Sequence, residues 1–244
     1  MSIIRIGKPL GAISYRLFCL PPAGAGASTF YPLMALDSLE VNICPISLPG
    51  REGRLKEALP QSIPALANQL ARDLSPYLDQ PYAILGYSMG ALLGYEIAQR
   101  LREWRQAQPI AFFPLAARPP HTPFQRSIHE LEKEPFRRKL EELGGMPQEL
   151  LDNEEAMSLY EPIIRQDFQN CDHYLCGDVI PLRCPIHAFV SDQDPLLSPD
   201  EVQSWADCTM GEFNMITMQG KSHILNRYDL LGIGREIIGV MTAK

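Results

Sequence analysis

The stretch Gly86-Tyr87-Ser88-Met89-Gly90 decides the fold of this chain. It follows a short apolar run, Tyr82-Ala83-Ile84-Leu85, and precedes a segment whose apolar residues recur at helical spacing. A G-x-S-x-G motif between a strand and a helix places its serine on a sharp turn with the hydroxyl exposed. We therefore predict that Ser88 is a nucleophile. The alternative is an ordinary glycine-rich turn between a strand and a helix.

The tightness of the turn explains why both flanking positions are glycine. Gly86 and Gly90 lack the side chains that would clash at so tight a corner. Backbone N–H groups at the start of the following helix favour negative charge, so they are placed to bind the oxyanion that the serine creates. We expect the N–H of Met89, directly after the nucleophile, to be one donor of this oxyanion hole.

The second oxyanion donor should come from the loop after an early strand. That loop is Pro21-Pro22-Ala23-Gly24-Ala25-Gly26, whose small residues let the backbone approach a substrate carbonyl closely. We assign the second donor to the N–H of Ala23, with Gly24 as the alternative. A flexible loop without a chemical role is the other interpretation.

Short apolar or β-branched segments predict seven strands. They are Ile3–Ile6, Tyr15–Leu20, Val41–Ile46, Tyr82–Leu85, Ile110–Leu115, Ile186–Val190 and Phe213–Met218. Helical patterns separate the later ones, and the first of these runs from Ile63 to Leu78 with Ser62 as its expected N-cap. Strands that alternate with helices predict an α/β fold with a mostly parallel sheet and helices on both faces.

One region interrupts this alternation. After the proline-rich residues 118–123, charged helical patterns run over Ile128–Leu143, which Gly144-Gly145 ends, and over Pro147–Cys171. We predict a core domain of residues 1–117 and 181–244 and a helical lid insertion of residues 118–180. Ligands of such sheets bind at the carboxyl edge of the strands, which an insertion here can cover. A merely structural cap is the alternative.

Composition limits the classes of protein that this chain can belong to. Its 244 residues are 45% hydrophobic and 21% charged, which is typical of one large globular domain or one domain with an insertion. The net charge of −7 argues against nucleic acid as the main partner. No apolar run approaches the ~20 residues of a membrane helix, and no signal peptide is visible. We expect a cytoplasmic monomer whose six cysteines are free thiols, without a nucleic-acid or membrane partner.

A serine nucleophile needs a base, and a third group must orient that base. The candidate bases are His121, His129, His173, His187 and His223. We choose His223, because it follows the last predicted strand, where a loop reaches the carboxyl edge of the sheet. His129 and His173 fall in helical parts of the insertion, and His187 falls in a strand interior, where we expect a packed core residue. His121 falls in a proline-rich loop, where it can line a pocket.

The orienting carboxylate should leave the end of the preceding strand. The segment Val190-Ser191-Asp192-Gln193-Asp194-Pro195 offers two. We favour Asp194, which Pro195 follows, and expect Asp192 to stabilise the turn. The alternative for either residue is a turn-forming aspartate beside a proline.

At these residues the chain resembles the type II thioesterases of nonribosomal peptide and polyketide synthesis. The resemblance is carried, in order, by Pro21–Ser28, Leu48-Pro49-Gly50-Arg51-Glu52-Gly53-Arg54, Gly86–Gly90, Leu143–Pro147, Pro162-Ile163-Ile164-Arg165-Gln166-Asp167-Phe168, Asp194-Pro195-Leu196 and Gly220–His223. There are departures. Pro22 stands where the family usually has histidine, Ala25 where it has a second glycine, and Ser191 where it has the glycine of G-x-x-D-P. The family's G-G-H-F is Gly220-Lys221-Ser222-His223-Ile224 here.

The resemblance implies an α/β-hydrolase fold and hydrolysis of acyl groups from the phosphopantetheine thiol of acyl or peptidyl carrier proteins. The predicted catalytic set is Ser88, Asp194 and His223, and the mechanism needs no metal or organic cofactor. A small-molecule carboxylesterase or lipase is the second enzyme hypothesis, since the same triad serves both. A catalytically silent hydrolase fold that acts as a binding module is the alternative from another class.

The insertion carries two further expectations. Some of its apolar residues should face an acyl chain while others pack in the core; they include Phe124, Phe136, Leu140, Met157 and Phe168. Its basic residues are candidates for docking an acidic carrier protein. They are Arg126, Lys133, Arg137, Arg138 and Lys139, and the glutamates between them equally suit an ordinary solvated helix.

Overall fold

The computed structural model describes residues 15–38, 40–123, 125–146 and 148–243. Within them, six strands form one sheet in the order β2-β1-β3-β4-β5-β6, and every neighbouring pair is parallel. The strands are β1 (Tyr15–Leu20), β2 (Val41–Pro45), β3 (Tyr82–Tyr87), β4 (Phe112–Leu115), β5 (Ile186–Ser191) and β6 (Phe213–Met218). The predicted fold class is confirmed, and the predicted strand Ile3–Ile6 lies outside the described residues.

Helices cover both faces of the sheet, as its fully buried central strands require. Along β1, Phe18 and Leu20 pack into one apolar layer while Leu17 and Cys19 pack into the other. The first layer is completed by α1 (Ile63–Leu74) and α2 (Met89–Glu103). The second is completed by α7 (Arg227–Thr242) and a 3-10 helix over Ala27–Leu36.

The strand order reverses direction between β1 and β3. One connection leads from β1 outward to β2, and the later strands are added on the opposite side of β1. The loops that leave the carboxyl ends of β1 and β3 therefore diverge and leave a crevice between them, which is the usual ligand site of an open parallel sheet. These two loops carry the Ala23 segment and Ser88.

Two predicted boundaries shift for local reasons. The pattern from Ile63 to Leu78 is helical only to Leu74 and continues as a 3-10 turn, Ser75–Tyr77, because Pro76 has no N–H to extend the α-helical ladder. The Ser62 side chain caps the helix as predicted, accepting the N–H of Ala65 at 3.2 Å. The strand predicted over Ile110–Leu115 begins at Phe112.

The segment between β4 and β5 is helical. It contains a 3-10 turn (Ile128–Glu130), α3 (Lys133–Leu143), α4 (Gln148–Leu151) and α5 (Glu154–Asp172), and the short α6 (Pro199–Gln203) follows β5. The pattern predicted as one run over Pro147–Cys171 is divided before Asn153, whose side chain caps α5 by accepting the N–H of Ala156 at 3.0 Å. Gly144 ends α3 in the left-handed conformation. In the part of the chain that the structure describes, no helix is both long and apolar enough to cross a membrane.

Candidate active site

Four loops that leave the carboxyl ends of strands bring the predicted site residues together. Ser88 follows β3, and the loop with Ala23 follows β1. Asp194 lies three residues after the end of β5, and His223 lies in the loop after β6. Because the strands are parallel, these loops all emerge at one edge of the sheet. The residues are far apart in sequence and adjacent in space for that reason.

Ser88 occupies a strained turn between β3 and α2. Its φ of 51° and ψ of −115° are rarely adopted by a residue with a side chain. A Cβ atom at Gly90 would lie 2.1 Å from the carbonyl oxygen of Leu20, and one at Gly86 would lie 2.4 Å from the Cα of Ala91. The predicted reason for both glycines, close approach of the backbone at a tight corner, is thus confirmed.

Ser88, His223 and Asp194 form a hydrogen-bonded chain. The Oγ of Ser88 lies 3.2 Å from Nε2 of His223, and Nδ1 of His223 lies 2.7 Å from Oδ2 of Asp194. The Asp194 side chain is fully buried, and its other oxygen accepts the N–H of Leu196 at 2.8 Å. A carboxylate on Nδ1 selects the tautomer with the proton there, so Nε2 is left as the acceptor for the serine hydroxyl.

Asp192, the alternative acid, has another role in this geometry. Its Oδ1 accepts the backbone N–H of Lys221 at 3.3 Å, and the N–H of Gln193 donates to the carbonyl of Lys221 at 3.0 Å. These bonds join the loop after β5 to the loop after β6. Asp192 therefore contributes to holding the His223 loop, while only Asp194 of the two contacts the imidazole.

Tyr87 supports the histidine loop, a contact that sequence reasoning missed. Its hydroxyl donates to the carbonyl of His223 at 2.6 Å and accepts the N–H of Leu225 at 3.0 Å. Burial raises the pKa of the Tyr87 phenol, so the hydroxyl keeps the proton that it donates. The only signal in the sequence is a tyrosine beside the nucleophile, and nothing in it points to a residue 136 positions away.

The arrangement of backbone N–H groups favours Ala23 over Gly24 as the second oxyanion donor. The N–H of Gly24 donates to Oδ2 of Asp167 at 2.8 Å, so it is not available to a substrate. Among the described residues, no acceptor is found for the N–H of Ala23. Helix α2 begins at Met89, and the first N–H groups of a helix have no intrahelical acceptor.

The departure at Ala25 is sterically harmless. The left-handed φ of this loop, 74°, falls on Gly24, whereas Ala25 has a negative φ. The N–H of Ala25 donates to the carbonyl of Pro22 at 3.2 Å, which closes the turn. Alanine therefore fits where the resembling family has glycine.

An apolar cavity of about 310 Å³ lies over Ser88. The sheet edge contributes Ala23, Ser88, Met89 and His223 to its wall. The helical segment contributes residues that are mostly apolar, among them Ile128, Leu140, Leu143, Met146, Ile164 and Phe168. The segment thus covers the site, and its apolar side chains are placed to contact an acyl chain.

The apolar residues singled out in the insertion divide as expected between cavity and core. Leu140 and Phe168 line the cavity. Phe136 and Met157 are fully buried in a cluster that the insertion forms with its own residues, and the Arg165 guanidinium lies 3.8 Å from the Phe136 ring centre. Phe124 lies outside the described residues.

The other histidines lie away from Ser88. His129 binds Oδ2 of Asp172 at 3.0 Å, and its ring meets that of His173 edge-on. His187 stacks on Phe113 in the sheet, where burial lowers its pKa. His121 lies beside Cys208 and Asp207 rather than in the wall of the cavity over Ser88.

Most of the basic residues proposed for docking are engaged within the insertion. Arg137 binds Glu154 through both terminal nitrogens, at 2.6 and 3.0 Å, and Lys133 binds the same carboxylate at 2.8 Å. These hydrogen bonds lower the pKa of Glu154 to about 2. Lys139 binds Glu142 at 2.8 Å.

Two of the five basic residues differ from this pattern. Arg126 lies in the cavity wall and donates to the carbonyl of Leu196 at 2.8 Å. Arg138 is exposed, and in the described part of the chain no carboxylate lies within salt-bridge distance of it. The same residue range contains no group of three His, Cys, Asp or Glu side chains that is placed to hold a metal ion.

Comparison with known proteins gives one family. A family model described as the thioesterase domain matches residues 15–233. The gramicidin S biosynthesis protein GrsT of Aneurinibacillus migulanus is 33% identical over 223 residues, which cover 90% of this chain and 87% of GrsT. Two solved structures superpose closely. The type II thioesterase BorB from the borrelidin biosynthetic cluster is 31% identical with a TM-score of 0.85, covering 99% of this chain and 96% of BorB. The RedJ thioesterase from the prodiginine pathway in Streptomyces coelicolor is 31% identical with a TM-score of 0.84, covering 94% of this chain and 95% of RedJ.

Proposed function

This chain belongs to the thioesterase domain family, and from that premise we propose that it hydrolyses acyl groups from the phosphopantetheine thiol of carrier proteins. The observation that carries the catalytic part is the Ser88–His223–Asp194 hydrogen-bonded chain at the base of an apolar cavity. The carrier-protein substrate is supported by relatives named for the biosynthesis of gramicidin S, borrelidin and prodiginine. We assign the reaction to a monomer in the cytoplasm.

Acylation begins at Ser88. The Oγ attacks the thioester carbonyl carbon while Nε2 of His223 takes the hydroxyl proton. The carbonyl oxygen becomes an oxyanion, which accepts hydrogen bonds from the N–H groups of Met89 and Ala23. Collapse of this tetrahedral intermediate breaks the C–S bond, and the pantetheine sulfur leaves as a thiol with the proton from His223. The product is an acyl ester on Ser88.

Water completes the cycle by the same steps. His223 takes a proton from a water molecule, whose oxygen attacks the ester carbonyl in the same oxyanion hole. The C–O bond to Ser88 breaks, the serine oxygen regains its proton from Nε2, and the acyl group leaves as a carboxylic acid. Throughout, Asp194 holds the imidazole by Nδ1 and stabilises its charged form. It accepts no proton.

We also propose that residues 118–180 act as a lid. The α5 residues Ile164 and Phe168 and the α3 residue Leu140 line the same cavity as Ser88. A carrier protein delivers its acyl group on a long, flexible arm, so an enclosed apolar channel suits it better than an open bowl. The apolar wall also excludes water from the oxyanion, which strengthens the hydrogen bonds that it accepts.

The nucleophile is tested by substitution. Ser88→Ala and His223→Ala should each lower kcat on an acyl-carrier substrate by at least about 10³-fold, since the members of a triad act as a unit. Mass spectrometry of the carrier protein measures the loss of the acyl group, and thermal unfolding checks that each variant is folded. Substantial turnover by folded Ser88→Ala would contradict the assignment.

Two controls separate this function from its alternatives. Faster turnover of simple oxygen esters than of acyl-carrier thioesters would indicate a carboxylesterase. Failure of a fluorophosphonate to label Ser88 in the unmodified protein would indicate a silent fold that only binds. We expect the fluorophosphonate to label the unmodified protein and not to label the Ser88→Ala variant.

A further inference from the structure

Arg51 and Asp167 form a buried ion pair between segments that are distant in sequence. The carboxylate accepts two hydrogen bonds from the guanidinium, at 2.5 and 3.0 Å, across a separation of 116 residues. The Arg51 and Asp167 side chains are 3% and 2% exposed. A buried ion pair contributes little to stability in comparison with apolar residues of similar volume, because both charges must be removed from water. Packing alone therefore does not account for it.

The contacts of the pair point to a different role. Oδ2 of Asp167 accepts the N–H of Gly24 at 2.8 Å, and Arg51 donates to the carbonyl of Ala25 at 3.1 Å. The two charged groups thus hold consecutive residues of the loop that carries Ala23. The neighbouring Glu52 carboxylate accepts the N–H groups of the residues that follow, Ala27 and Ser28, at 3.0 and 3.1 Å.

We propose that Arg51 and Asp167 are positioning residues for the oxyanion hole, a role that rests on the proposed function. Neither touches the reacting atoms. By binding the Gly24 N–H, Asp167 fixes the peptide unit after Ala23 and withdraws the competing donor. A carboxylate suits this place because it is an acceptor only and serves the Gly24 N–H and both guanidinium donors at once.

The same helix also sets the acyl side of the cavity. Asp167 lies on α5, one turn after Ile164, whose side chain lines the cavity. A Cβ atom at Gly24 would lie 2.9 Å from Cγ1 of Ile164, so the loop is packed against α5 as well as hydrogen-bonded to it. Donors held in place before the reaction need no reorganisation as charge develops. The pair therefore acts on kcat.

The test measures hydrolysis of butyryl-N-acetylcysteamine and binding of butylboronic acid, whose tetrahedral serine adduct places an oxygen in the oxyanion hole. Asp167→Leu should lower kcat by about 10²-fold, the scale of losing or misplacing one oxyanion donor, with KM changed by less than about three-fold. The boronate dissociation constant should rise by a factor similar to the fall in kcat. Asp167→Asn keeps an oxygen for the Gly24 N–H and should retain more of the kcat than Asp167→Leu.

Two further variants distinguish positioning from general stability. Arg51→Met combined with Asp167→Leu removes both charges, so it should recover thermal stability relative to Asp167→Leu while kcat stays low. Arg54→Leu is the matched control. Arg54 is 7% exposed, lies in the same segment and binds Glu57 and the carbonyl of Ser47, and no bond joins it to the Ala23 loop within the described residues. It should leave kcat and boronate binding within about three-fold of the unmodified protein, since small kcat effects are expected away from the oxyanion donors.

Recovery of kcat together with stability in the double variant would show that the pair is only structural. Equal losses of kcat in Arg54→Leu and Asp167→Leu would also overturn the proposal. Fluorophosphonate labelling of Ser88 in the unmodified protein is measured in parallel. Its absence would count against the proposed function, whereas unchanged kcat in Asp167→Leu alongside normal labelling counts against the positioning role alone.

Discussion

The carboxyl edge of the sheet and the helical segment between β4 and β5, which we propose as an insertion of residues 118–180, line one cavity and are built in different ways. At the edge, Ser88 directly follows β3, and Asp194 and His223 lie in the loops after β5 and β6. The backbone hydrogen bonds between the strands set the separation of these loops. In the insertion, side-chain hydrogen bonds set the positions of the helices instead. Arg137 and Glu154 join α3 to α5, and Arg165 of α5 donates to the carbonyls of His129 and Leu131.

The difference lies in how each region tolerates change. A strand end is fixed by a ladder of backbone hydrogen bonds that no single substitution removes, so the edge suits the reacting atoms, which must be held to within about 0.5 Å. An interface of side chains can be altered one residue at a time without loss of the sheet. We infer that substitutions at the edge act mainly on kcat. Those in the insertion should act mainly on which substrate is accepted, except at Asp167, whose carboxylate binds the Ala23 loop of the edge.

The largest expected effect separates two aspartates of one loop at the edge. Asp194→Asn should leave the fold intact but favour the wrong tautomer of His223, which lowers kcat by about 10⁴-fold by analogy with a serine protease triad. Asp192→Asn should lower kcat by less than about ten-fold, because within the described residues the Asp192 side chain accepts only the backbone N–H of Lys221. Steady-state kinetics on one acyl thioester measures both.

The pair of variants is its own control, since both remove one negative charge within three residues of each other. Reversed effects would mean that Asp192, and not Asp194, is the carboxylate that orients His223. Similar losses in both variants would mean that the charge of the loop matters and not the Asp194–His223 hydrogen bond. The placement of Asp194 beside His223 by the ends of the strands would then not explain the activity of the edge.

A smaller effect on kcat is expected at Tyr87, which contacts the backbone of His223 and not the reacting atoms. Tyr87→Phe removes the donor to the His223 carbonyl and leaves the buried N–H of Leu225 without its acceptor. The free energy of unfolding should fall by about 1–3 kcal/mol, the cost of one unsatisfied buried group. kcat should fall by roughly ten-fold as the imidazole loses its fixed position.

Denaturant unfolding and kinetics measure the two consequences of Tyr87→Phe. Tyr82→Phe is the matched control. The Tyr82 hydroxyl also donates to a loop carbonyl, that of Ala107 at 2.7 Å, and Tyr82 lies at the start of β3 rather than at its end. An equal fall in kcat for both variants would indicate a general loss of stability rather than a support of His223.

The contrast between the two regions also explains which features of the fold and of the candidate site can be predicted from the sequence. Contiguous motifs and strand ends predicted the sheet, the turn at Ser88 and the meeting of Ser88 with His223, because parallel strands bring their carboxyl ends to one edge. The choice of Asp194 over Asp192 followed from local turn chemistry. Each of these inferences needs only neighbouring residues and the topology of the sheet.

Contacts that depend on the orientation of helices were beyond that reasoning. Arg51 and Asp167 belong to two different motifs of the sequence, and their separation of 116 residues gives no sign that they meet. The sequence presents Arg137 as a candidate docking cation, whereas in the structure it binds Glu154 and so joins α3 to α5. In both cases the partner is chosen by how α5 packs, which neither hydrophobic period nor turn signals determine.

The smallest expected effect tests the insertion as a docking surface. Arg138 is an exposed cation of α3 that, among the described residues, lies within salt-bridge distance of no carboxylate. We expect the proposed carrier-protein substrate to be acidic. Arg138→Glu should lower kcat/KM on an acyl-carrier substrate by about five-fold at low salt, as expected for a rim charge that steers association. Hydrolysis of butyryl-N-acetylcysteamine should be unchanged, because the small substrate does not touch the surface of α3.

Arg235→Glu is the matched control, since Arg235 is an exposed arginine on α7 and the substitution makes the same change in net charge. An effect of Arg138 that is specific to docking should be absent from Arg235→Glu and should shrink as salt is raised, because exposed charges are screened over about 10 Å at 0.1 M. Equal losses in the two variants would show that overall charge, not the α3 surface, governs encounter. Equal losses on the carrier and small substrates would show that α3 shapes the cavity rather than the docking site. Residues of the insertion other than Asp167 would then also act on kcat, and the functional division between the edge and the insertion would not hold.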